Sequence, residues 1–272
     1  MVVSERLRLL AEEPDAHQPE PPPPSRRIVT PSYFLGFGPS QAFSTVSAVR
    51  TTEGELDEVV AEVRQACREA GYTRTTWFVG PSSRPGNLAD LLERRGFLPA
   101  TSPPHEPVFT AMALTEAPPA PPPGIEARLV GDVDEYVQGI KIAMEAFGEP
   151  PDVTAEWVAA APQQWLGFDG VTRFAHMAYV DGRPVGYAFT VSCGDALLLG
   201  GAAVLADARG RGAYRSLLAA RWARAVELGS QGLVIHAGEM SRPILERCGF
   251  QRVCLVKLLD DPEAARPSAA GA

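Results

Sequence analysis

Apolar residues in the first half of the chain recur at the spacing of strands and then at the spacing of helices. Their recurrence every three or four residues after Thr52 predicts a helix, and Gly71 stands where that helix ends. The predicted elements are extended segments over 28–37 and 42–49, a helix over 53–70, a strand over 75–79, a helix over 88–95 and an extended piece from Phe97.

The second half alternates apolar and polar positions more regularly. Asp181-Gly182 lies between two alternating segments, which predicts a hairpin from His176 to Val191. An apolar run from Ala196 to Leu205 predicts a buried strand. The other predicted elements are a strand over 125–129, helices over 132–147 and 152–161, a helix over 213–228, a strand over 233–237, a helix over 241–247 and a strand over 253–258.

Proline-rich stretches divide the chain. The segment 116–124 is predicted to be a stiff, extended linker. Prolines also dominate the end of the first 26 residues, although residues 4–13 could form a short helix. The predicted organisation is a disordered tail over 1–26, a first domain over 27–115, the linker over 116–124, a second domain over 125–260 and a flexible tail over 261–272.

A basic, glycine-rich turn separates the apolar run from the helix that follows it. Gly210 and Gly212 let the backbone curl, so that successive N–H groups point into one concavity. The free N–H groups and the positive end of the helix dipole favour a phosphate there. An ordinary basic helix N-terminus is the alternative. The residues predicted to form the anion site are Arg209, Gly210, Arg211, Gly212, Ala213, Tyr214 and Arg215.

This turn resembles the pyrophosphate loop of the GNAT superfamily of acyl-CoA N-acyltransferases, whose pattern is Arg/Gln-x-x-Gly-x-Gly/Ala. Arg209 and Gly212 fill its first and fourth places, whereas Tyr214 stands where Gly or Ala is usual. The order of elements predicted over 125–260 also resembles the GNAT fold. The resemblance implies the α/β (α+β) class, with a mixed, mainly antiparallel central sheet flanked by helices. It also implies acetyl-CoA as the co-substrate.

The two halves of the chain share a short pattern. Ser83-Arg84-Pro85 leads to a helix that ends in Gly96-Phe97, and Ser241-Arg242-Pro243 leads to one that ends in Gly249-Phe250. We therefore expect residues 27–115 to form a degenerate, truncated GNAT-like half without a phosphate loop. This half would pack its sheet against the second half and wall off the substrate site. The alternative is that strand–helix–Gly-Phe is only a common packing unit.

The resemblance implies two further features of the site. A backbone N–H of the strand before the loop, at Ala202, Ala203 or Val204, would hold the thioester carbonyl. A tyrosine in the helix after the fifth strand usually protonates the departing thiolate, but Leu245 occupies that position here. Either another group serves as the acid, no acid is needed, or the domain binds acyl-CoA without turning it over.

The candidates for a catalytic acid or base are His236, Glu239 and Glu145. His236 lies on the strand beside the cleft and titrates in a suitable range; a hydrogen-bonded structural role is the alternative. Glu239 follows that strand, and Glu145 and Glu149 lie where the family recognises the acceptor; surface roles are the alternatives for these carboxylates. Cys193 would be a nucleophile only if a neighbour lowered its pKa.

Composition narrows the function classes. The chain has 272 residues, enough for two domains, and its net charge of −8 argues against a nucleic-acid partner. No apolar run is long enough to span a membrane, and the start of the chain lacks a secretory signal pattern. The four cysteines and four histidines lack the spacing of disulfides or of metal ligands. We therefore expect reduced thiols, no metal, no membrane partner and a cytoplasmic location.

The function expected from the sequence is that of an acyl-CoA-dependent N-acyltransferase. It would transfer acetyl from acetyl-CoA to a small-molecule or peptide amine, by direct attack in a ternary complex. The oligomeric state is left open. One alternative is a non-catalytic acyl-CoA-binding or interaction protein on the same fold. Another is a tandem enzyme whose first half recognises a large substrate, such as a thiol cofactor precursor or a peptide.

Overall fold

The computed structural model of the protein describes residues 3–41, 43–101 and 105–264. The helices are α1 (Glu5–Glu12), α2 (Leu56–Ala70), α3 (Leu88–Arg94), α4 (Val133–Phe147), α5 (Pro151–Trp165), α6 (Ala213–Glu227) and α7 (Arg242–Arg247). The strands are β1 (Arg26–Val29), β2 (Phe34–Phe37), β3 (Ser44–Ser47), β4 (Thr75–Val79), β5 (Leu98–Pro99), β6 (Val108–Leu114), β7 (Ile125–Leu129), β8 (Arg173–Val180), β9 (Arg183–Cys193), β10 (Ala196–Val204), β11 (Leu233–Ala237) and β12 (Gln251–Asp260).

One sheet runs through both halves of the chain. Its strand order is β1-β2-β3-β4-β12-β6-β11-β10-β9-β8-β7, and β5 pairs with the end of β12. Among the described strands, β3 with β4 and β10 with β11 are the parallel pairs, and the other pairs are antiparallel. The mixed, mainly antiparallel sheet predicted from the sequence is therefore confirmed.

The two halves contain the same run of elements. The run β1-β2-β3-α2-β4-α3, followed by β5 and β6, corresponds to β8-β9-β10-α6-β11-α7-β12. The parallel pairs β3/β4 and β10/β11 occupy equivalent places in it. The second half has β7, α4 and α5 in front of this run, whereas the first half has α1 there. The first half is thus a shortened version of the second.

The halves exchange their last strands. β6, which ends the first half, lies between β11 and β12 and pairs with both. β12, which ends the second half, also pairs with β4 of the first half. The sequence-based prediction assigned no strand to β6, although six of its seven residues are apolar. The linker predicted over 116–124 therefore follows a strand that completes the other half, and it divides the chain without dividing the sheet.

Helices cover the two faces of the sheet. Alternate residues of a strand point to opposite faces of the sheet, so the residues of β6 identify the helices that cover each face. Met112 and Leu114 join the core under α6 and α7, whereas Ala111 and Ala113 join the core under α1. The helices α2 and α3 lie on the α6 side, and α4 and α5 lie on the α1 side. Within the described ranges, no helix has the length and apolar character needed to cross a membrane.

The N-terminal segment differs from the disordered tail predicted over 1–26. The hydroxyl of Ser4 caps α1 by accepting a hydrogen bond from the Leu7 N–H at 3.2 Å. Leu7 and Leu10 lie on one face of α1 and are buried against β6, β11 and β12. The short helix predicted over 4–13 is present. The prediction of a disordered tail was wrong because it weighted the prolines that follow, whereas the apolar spacing within the helix decides where this segment packs.

The end of α1 is also fastened to the first half of the sheet. The Ser82 N–H donates to the Glu12 carboxylate at 2.6 Å, and the Arg50 guanidinium contacts the Glu13 carboxylate at 2.7 Å. Glu12 and Glu13 are both buried, so these polar contacts compensate charges that would otherwise be costly to desolvate. α1 is thereby held by apolar packing along its length and by ionic contacts at its end.

Shortening Leu10 to alanine tests whether α1 belongs to the core. Leu10 is 0% exposed, so Leu10→Ala should lower the free energy of unfolding by about 2–5 kcal/mol. Leu166→Ala is the matched control, because Leu166 is 77% exposed and should cost little. Urea unfolding of both variants would measure the difference. Equal stabilities would mean that α1 does not pack on the sheet.

Candidate functional site

β10 and β11 separate after a short parallel contact. Leu197–Leu198 pairs with Leu233–Val234, and the pairing does not continue beyond them. β10 then bulges between Leu199 and Ala202 before it resumes its pairing with β9. The bulge contains Gly200-Gly201, which lies outside the register with β9. A gap in the sheet therefore opens beside backbone groups that are not committed to this ladder.

The predicted carbonyl-binding residues follow this bulge. Ala202, Ala203 and Val204 are in register with β9, and Ala203 is buried under α4. Gly200-Gly201 is the part of this stretch that lines a central cavity. The bulge therefore adds two residues to the candidate N–H donors for a thioester carbonyl.

The predicted anion loop connects β10 to α6. Gly210 and Gly212 have φ angles of 78° and 102°, in the left-handed region that favours glycine. Gly212 is the N-cap of α6 and supplies no side-chain acceptor, so the N–H groups of the first turn are available to a ligand. Ala213 is the first residue of the helix and is buried. The backbone thus has the form expected of a phosphate-binding turn.

Two arginines of this loop are held by backbone carbonyls. Arg209 donates to the carbonyls of Val204 and Ala146, each at 3.2 Å, and so ties the loop to β10 and α4. Arg215 donates to the carbonyl of Ala120 in the linker at 2.6 Å. These contacts fix the loop in position rather than leaving both guanidinium groups at its rim.

Arg211 contacts a carboxylate rather than a backbone carbonyl. Its guanidinium lies 3.0 Å from the Asp181 carboxylate, and both side chains are largely in solvent. Exposed ion pairs contribute little to stability, so Arg211 can exchange Asp181 for a ligand phosphate at small cost.

The bulky residue at the sixth position of the loop pattern does not fill the loop. Tyr214 is half-buried, and its ring packs against the core between α6 and the sheet. Burial raises the pKa of the Tyr214 hydroxyl, so the side chain is neutral at physiological pH.

A cavity of about 510 Å³ lies on the sheet face opposite α6. Both halves line it, together with α4, α5 and the segment that follows α1. Its volume lies within the range of small-molecule sites. The aromatic side chains that line it include Phe34, Phe43, Phe78, Phe147, Trp157 and Phe189.

The segment after α1 forms one wall of this cavity. It begins with a 3-10 turn over Pro14–His17 and continues through prolines that line the cavity. Arg173 of β8 donates to the Pro19 carbonyl at 2.7 Å, and Gln164 of α5 donates to the Ser25 hydroxyl at 2.8 Å. The wall is therefore attached to the second half at two places.

His236 lines the cavity but is held in a neutral form. Its Nε2 lies 3.1 Å from the Glu12 carbonyl oxygen, which can only accept, so Nε2 carries the proton. Burial lowers the pKa of His236 to about 4. The ring is therefore a weak base at neutral pH, and its geometry fits the structural role better than the catalytic one.

The candidate glutamates fall in different environments. Glu145 on α4 and Glu239 after β11 are exposed, and neither is among the described residues that line the cavity. The Glu239 N–H donates to the Glu106 carboxylate at 2.7 Å. Glu149 does line the cavity, and burial raises the pKa of its carboxyl group. Of these three glutamates, the geometry thus favours Glu149 as a site residue.

Two other predicted positions lie in the core. Leu245 is fully buried between α7 and the sheet, so no proton donor stands at that position. Cys193 donates to the Pro14 carbonyl at 3.4 Å, and burial raises the pKa of its thiol to about 12, which rules out a nucleophilic role at neutral pH.

Among the described residues, no group of three His, Cys, Asp or Glu side chains could hold a metal ion.

Asp15 is a cavity residue that sequence reasoning missed. It lies in the 3-10 turn after α1, and its Oδ1 accepts a hydrogen bond from the Gln18 side-chain amide at 2.7 Å. Burial raises the pKa of its carboxyl group to about 6. The surrounding prolines concealed this residue, because they indicated a disordered tail. The apolar spacing of α1 was the signal that the segment is attached to the sheet.

The low pKa of His236 predicts a pH dependence of stability. The His236 ring takes up a proton near pH 6.5 in the unfolded chain but only near pH 4 in the folded protein. The neutral ring therefore makes its full contribution to the free energy of unfolding above pH 6.5, and this contribution is lost as the pH falls toward 4. The full effect is about 3 kcal/mol. His236→Gln can keep a donor for Glu12 without titrating, so its unfolding free energy should fall less steeply over this range in urea titrations. Parallel curves for the two proteins would contradict a buried neutral ring.

Comparison with known proteins was made at the level of sequence and of structure. No family model and no curated protein matches the sequence. A GCN5-related N-acetyltransferase from Kribbella flavida has a similar structure, with a TM-score of 0.68 and 18% identity over 96% of both chains. One from Sphaerobacter thermophilus has a TM-score of 0.60 and 18% identity, over 87% of this chain and 80% of that one.

A third solved structure is similar over both halves. It is described as a tandem GNAT protein from the clavulanic acid biosynthesis pathway. Its TM-score is 0.58, with 16% identity over 97% of this chain and 95% of that one. At these identities the likeness concerns the fold, and it extends across the exchanged strands to both halves. The protein therefore has the GNAT fold in its tandem form.

Proposed function

We propose that the protein is an acyl-CoA-dependent N-acyltransferase that transfers acetyl from acetyl-CoA to a primary amine in a ternary complex. The observation that carries this proposal is the gap between β10 and β11. The gap lies between the candidate phosphate-binding turn at the start of α6 and a cavity on the opposite face of the sheet. Such an arrangement can hold a long thioester by its phosphates and present its acyl end to a second substrate.

The chain offers backbone groups for each end of the thioester. The N–H groups of Gly212 and of the first turn of α6 would hold the pyrophosphate. The N–H groups at the bulge, from Gly200 to Ala202, would polarise the thioester carbonyl where negative charge develops during attack. The first half would close the cavity from the other side, with Phe34, Phe43 and Phe78 as its contribution.

The reaction can proceed without a tyrosine as proton donor. The amine nitrogen would attack the carbonyl carbon, a C–N bond would form and the C–S bond would break. A thiol has a pKa of about 8.5, so its thiolate is a tolerable leaving group even without an acid. The buried Leu245 therefore removes one catalytic aid without preventing the chemistry.

The proposed compartment and partners rest on composition. The four cysteines are free thiols, which suits a reducing cytoplasm. The net charge of −8 favours a cationic amine over a nucleic acid as a partner. A cavity of about 510 Å³ favours a small-molecule amine over the surface of a folded protein.

A non-catalytic acyl-CoA-binding protein is the second candidate. The buried Leu245 and the low pKa of His236 favour it, because they leave no proton donor or acceptor at the two positions where one was expected. Release of free thiol from acetyl-CoA in the presence of a library of amines separates the two candidates. Amine-dependent release supports the enzyme, whereas tight acetyl-CoA binding without release supports the second candidate.

A side chain at Gly212 should weaken cofactor binding. The Cβ of any replacement would lie 2.2 Å from Pro122, and its φ of 102° strains other residues, so Gly212→Val should distort the turn. We expect at least about tenfold weaker CoA binding by calorimetric titration.

Gly229→Val is the matched control for this variant. Gly229 also has a positive φ, of 68°, but it follows the opposite end of α6 and has nothing within 4 Å of its Cβ position. The control should bind CoA as the unmodified protein does. Equal affinity in both variants would exclude the turn as the cofactor site, and no binding of CoA or acetyl-CoA by the unmodified protein would exclude the proposed function.

A further inference from the structure

Asp15 lines the central cavity, and no cationic side chain among the described residues pairs with its carboxylate. Its only hydrogen bond within residues 3–41, 43–101 and 105–264 comes from the neutral amide of Gln18. Asp15 is half-buried, and a partly desolvated carboxylate is costly unless it is paired, so this group can be stabilised by a cation that enters the cavity.

The arginines that line the cavity are engaged elsewhere. Arg27 contacts the Glu20 carboxylate at 2.8 Å, and Arg26 lies over the ring of Phe37, 4.7 Å from its centroid. Arg173 donates to a backbone carbonyl of the N-terminal wall. The three arginines that line the cavity are therefore engaged in other contacts, and a positively charged ligand remains the available partner for Asp15.

The remaining surface of the cavity is mainly apolar. Phe78 and Phe189 stand on the sheet, Phe147 closes the side toward Gly200-Gly201, and Trp157 stands on α5. Aromatic walls gain the most from a flat, apolar ligand, because stacking adds to the burial of area. A cavity volume of about 510 Å³ accommodates a small aromatic molecule beside the acyl end of a thioester.

We propose that this cavity binds a primary amine with an apolar, aromatic body, and that Asp15 contacts its ammonium group and accepts its proton. This assignment names the acceptor class for the acyl transfer proposed above and rests on that function. Asp15 lies in the N-terminal segment, before the elements that the two halves share. The proposal therefore makes this segment part of the site.

The proton transfers balance with Asp15 in this role. The ammonium group first gives one proton to the carboxylate, which passes it to solvent. The neutral nitrogen then attacks the thioester carbon, the C–N bond forms and the C–S bond breaks. The nitrogen loses a second proton, which ends on the departing sulfur, so the products are an amide, a thiol and one released proton. Burial raises the pKa of Asp15 to about 6, so the carboxylate is ionised but more basic than an exposed one.

Titrations with three probes distinguish the effect of the ammonium charge on binding from the effect of the aromatic body. Tryptamine has both features, tryptophol lacks the ammonium group and ethanolamine lacks the aromatic body. Each would be titrated into protein saturated with CoA, which prevents turnover. Tryptamine should bind more tightly than either of the others. In Asp15→Asn, tryptamine binding should weaken by about tenfold or more, since a charge-assisted hydrogen bond is lost, while tryptophol binding is unchanged.

Asp90→Asn is the matched control, because Asp90 is exposed in the first turn of α3. It should leave the binding of all three probes unchanged, and Asp15→Glu should restore part of the tryptamine affinity. Equal tryptamine binding in Asp15→Asn and the unmodified protein would overturn the assignment. Equal losses of tryptamine and tryptophol would also overturn it, because they would show that Asp15 only shapes the cavity.

Failure of the acceptor assignment is distinguishable from failure of the proposed function. CoA affinity is measured in the same samples, and Asp15→Asn should leave it unchanged. If CoA binds and none of the amines does, the acceptor assignment fails while the cofactor assignment stands. If CoA does not bind, the proposed function fails, and amine titration of the unliganded protein still decides whether Asp15 binds an ammonium group.

Discussion

The pairing of β6 with β11 and β12 is the constraint on which the rest of the structure depends. Without β6, the second half would expose the edge of β11, and β12 would lose its connection to β11. Exposed strand edges present unpaired N–H and C=O groups, so each half needs the last strand of the other to complete its ladder. The halves are therefore not separable units, and the cavity between them is a fixed feature of one sheet.

The same sheet accounts for the separation of the two candidate binding regions. The gap between β10 and β11 is tolerated because each strand pairs on its other side, β10 with β9 and β11 with β6. The loop before α6 and the aromatic cavity can then differ in character, one offering backbone donors and the other apolar walls. A thioester needs polar contacts at its phosphates and dry surroundings at its reacting end, and the two regions supply these separately.

The features that could be predicted from the sequence are those set by residues close together in the chain. The positive φ angles at Gly71, Gly212 and Asp181-Gly182 occur where the turn residues indicated them, and β4, β7 and β11 match their predicted bounds. The strand exchange could not be predicted, because the partners of β6 lie more than a hundred residues further along the chain. The loop before α6 could be found from its glycines, whereas the contact of His236 with the Glu12 carbonyl joins residues that are 224 positions apart and leaves no local signal.

The N-terminal segment shows why its proline content alone led to a wrong prediction of disorder. Prolines prevent regular structure in a segment, but they do not prevent its attachment when its neighbours are anchored. Here the buried face of α1 fixes one end, and the hydrogen bonds from Arg173 and Gln164 fix the proline-rich part against β8 and α5. Proline also lowers the entropy that such a wall loses on folding. The stability of α1 and the shape of the cavity are therefore coupled, because the same segment that covers the sheet also carries Asp15 into the candidate site.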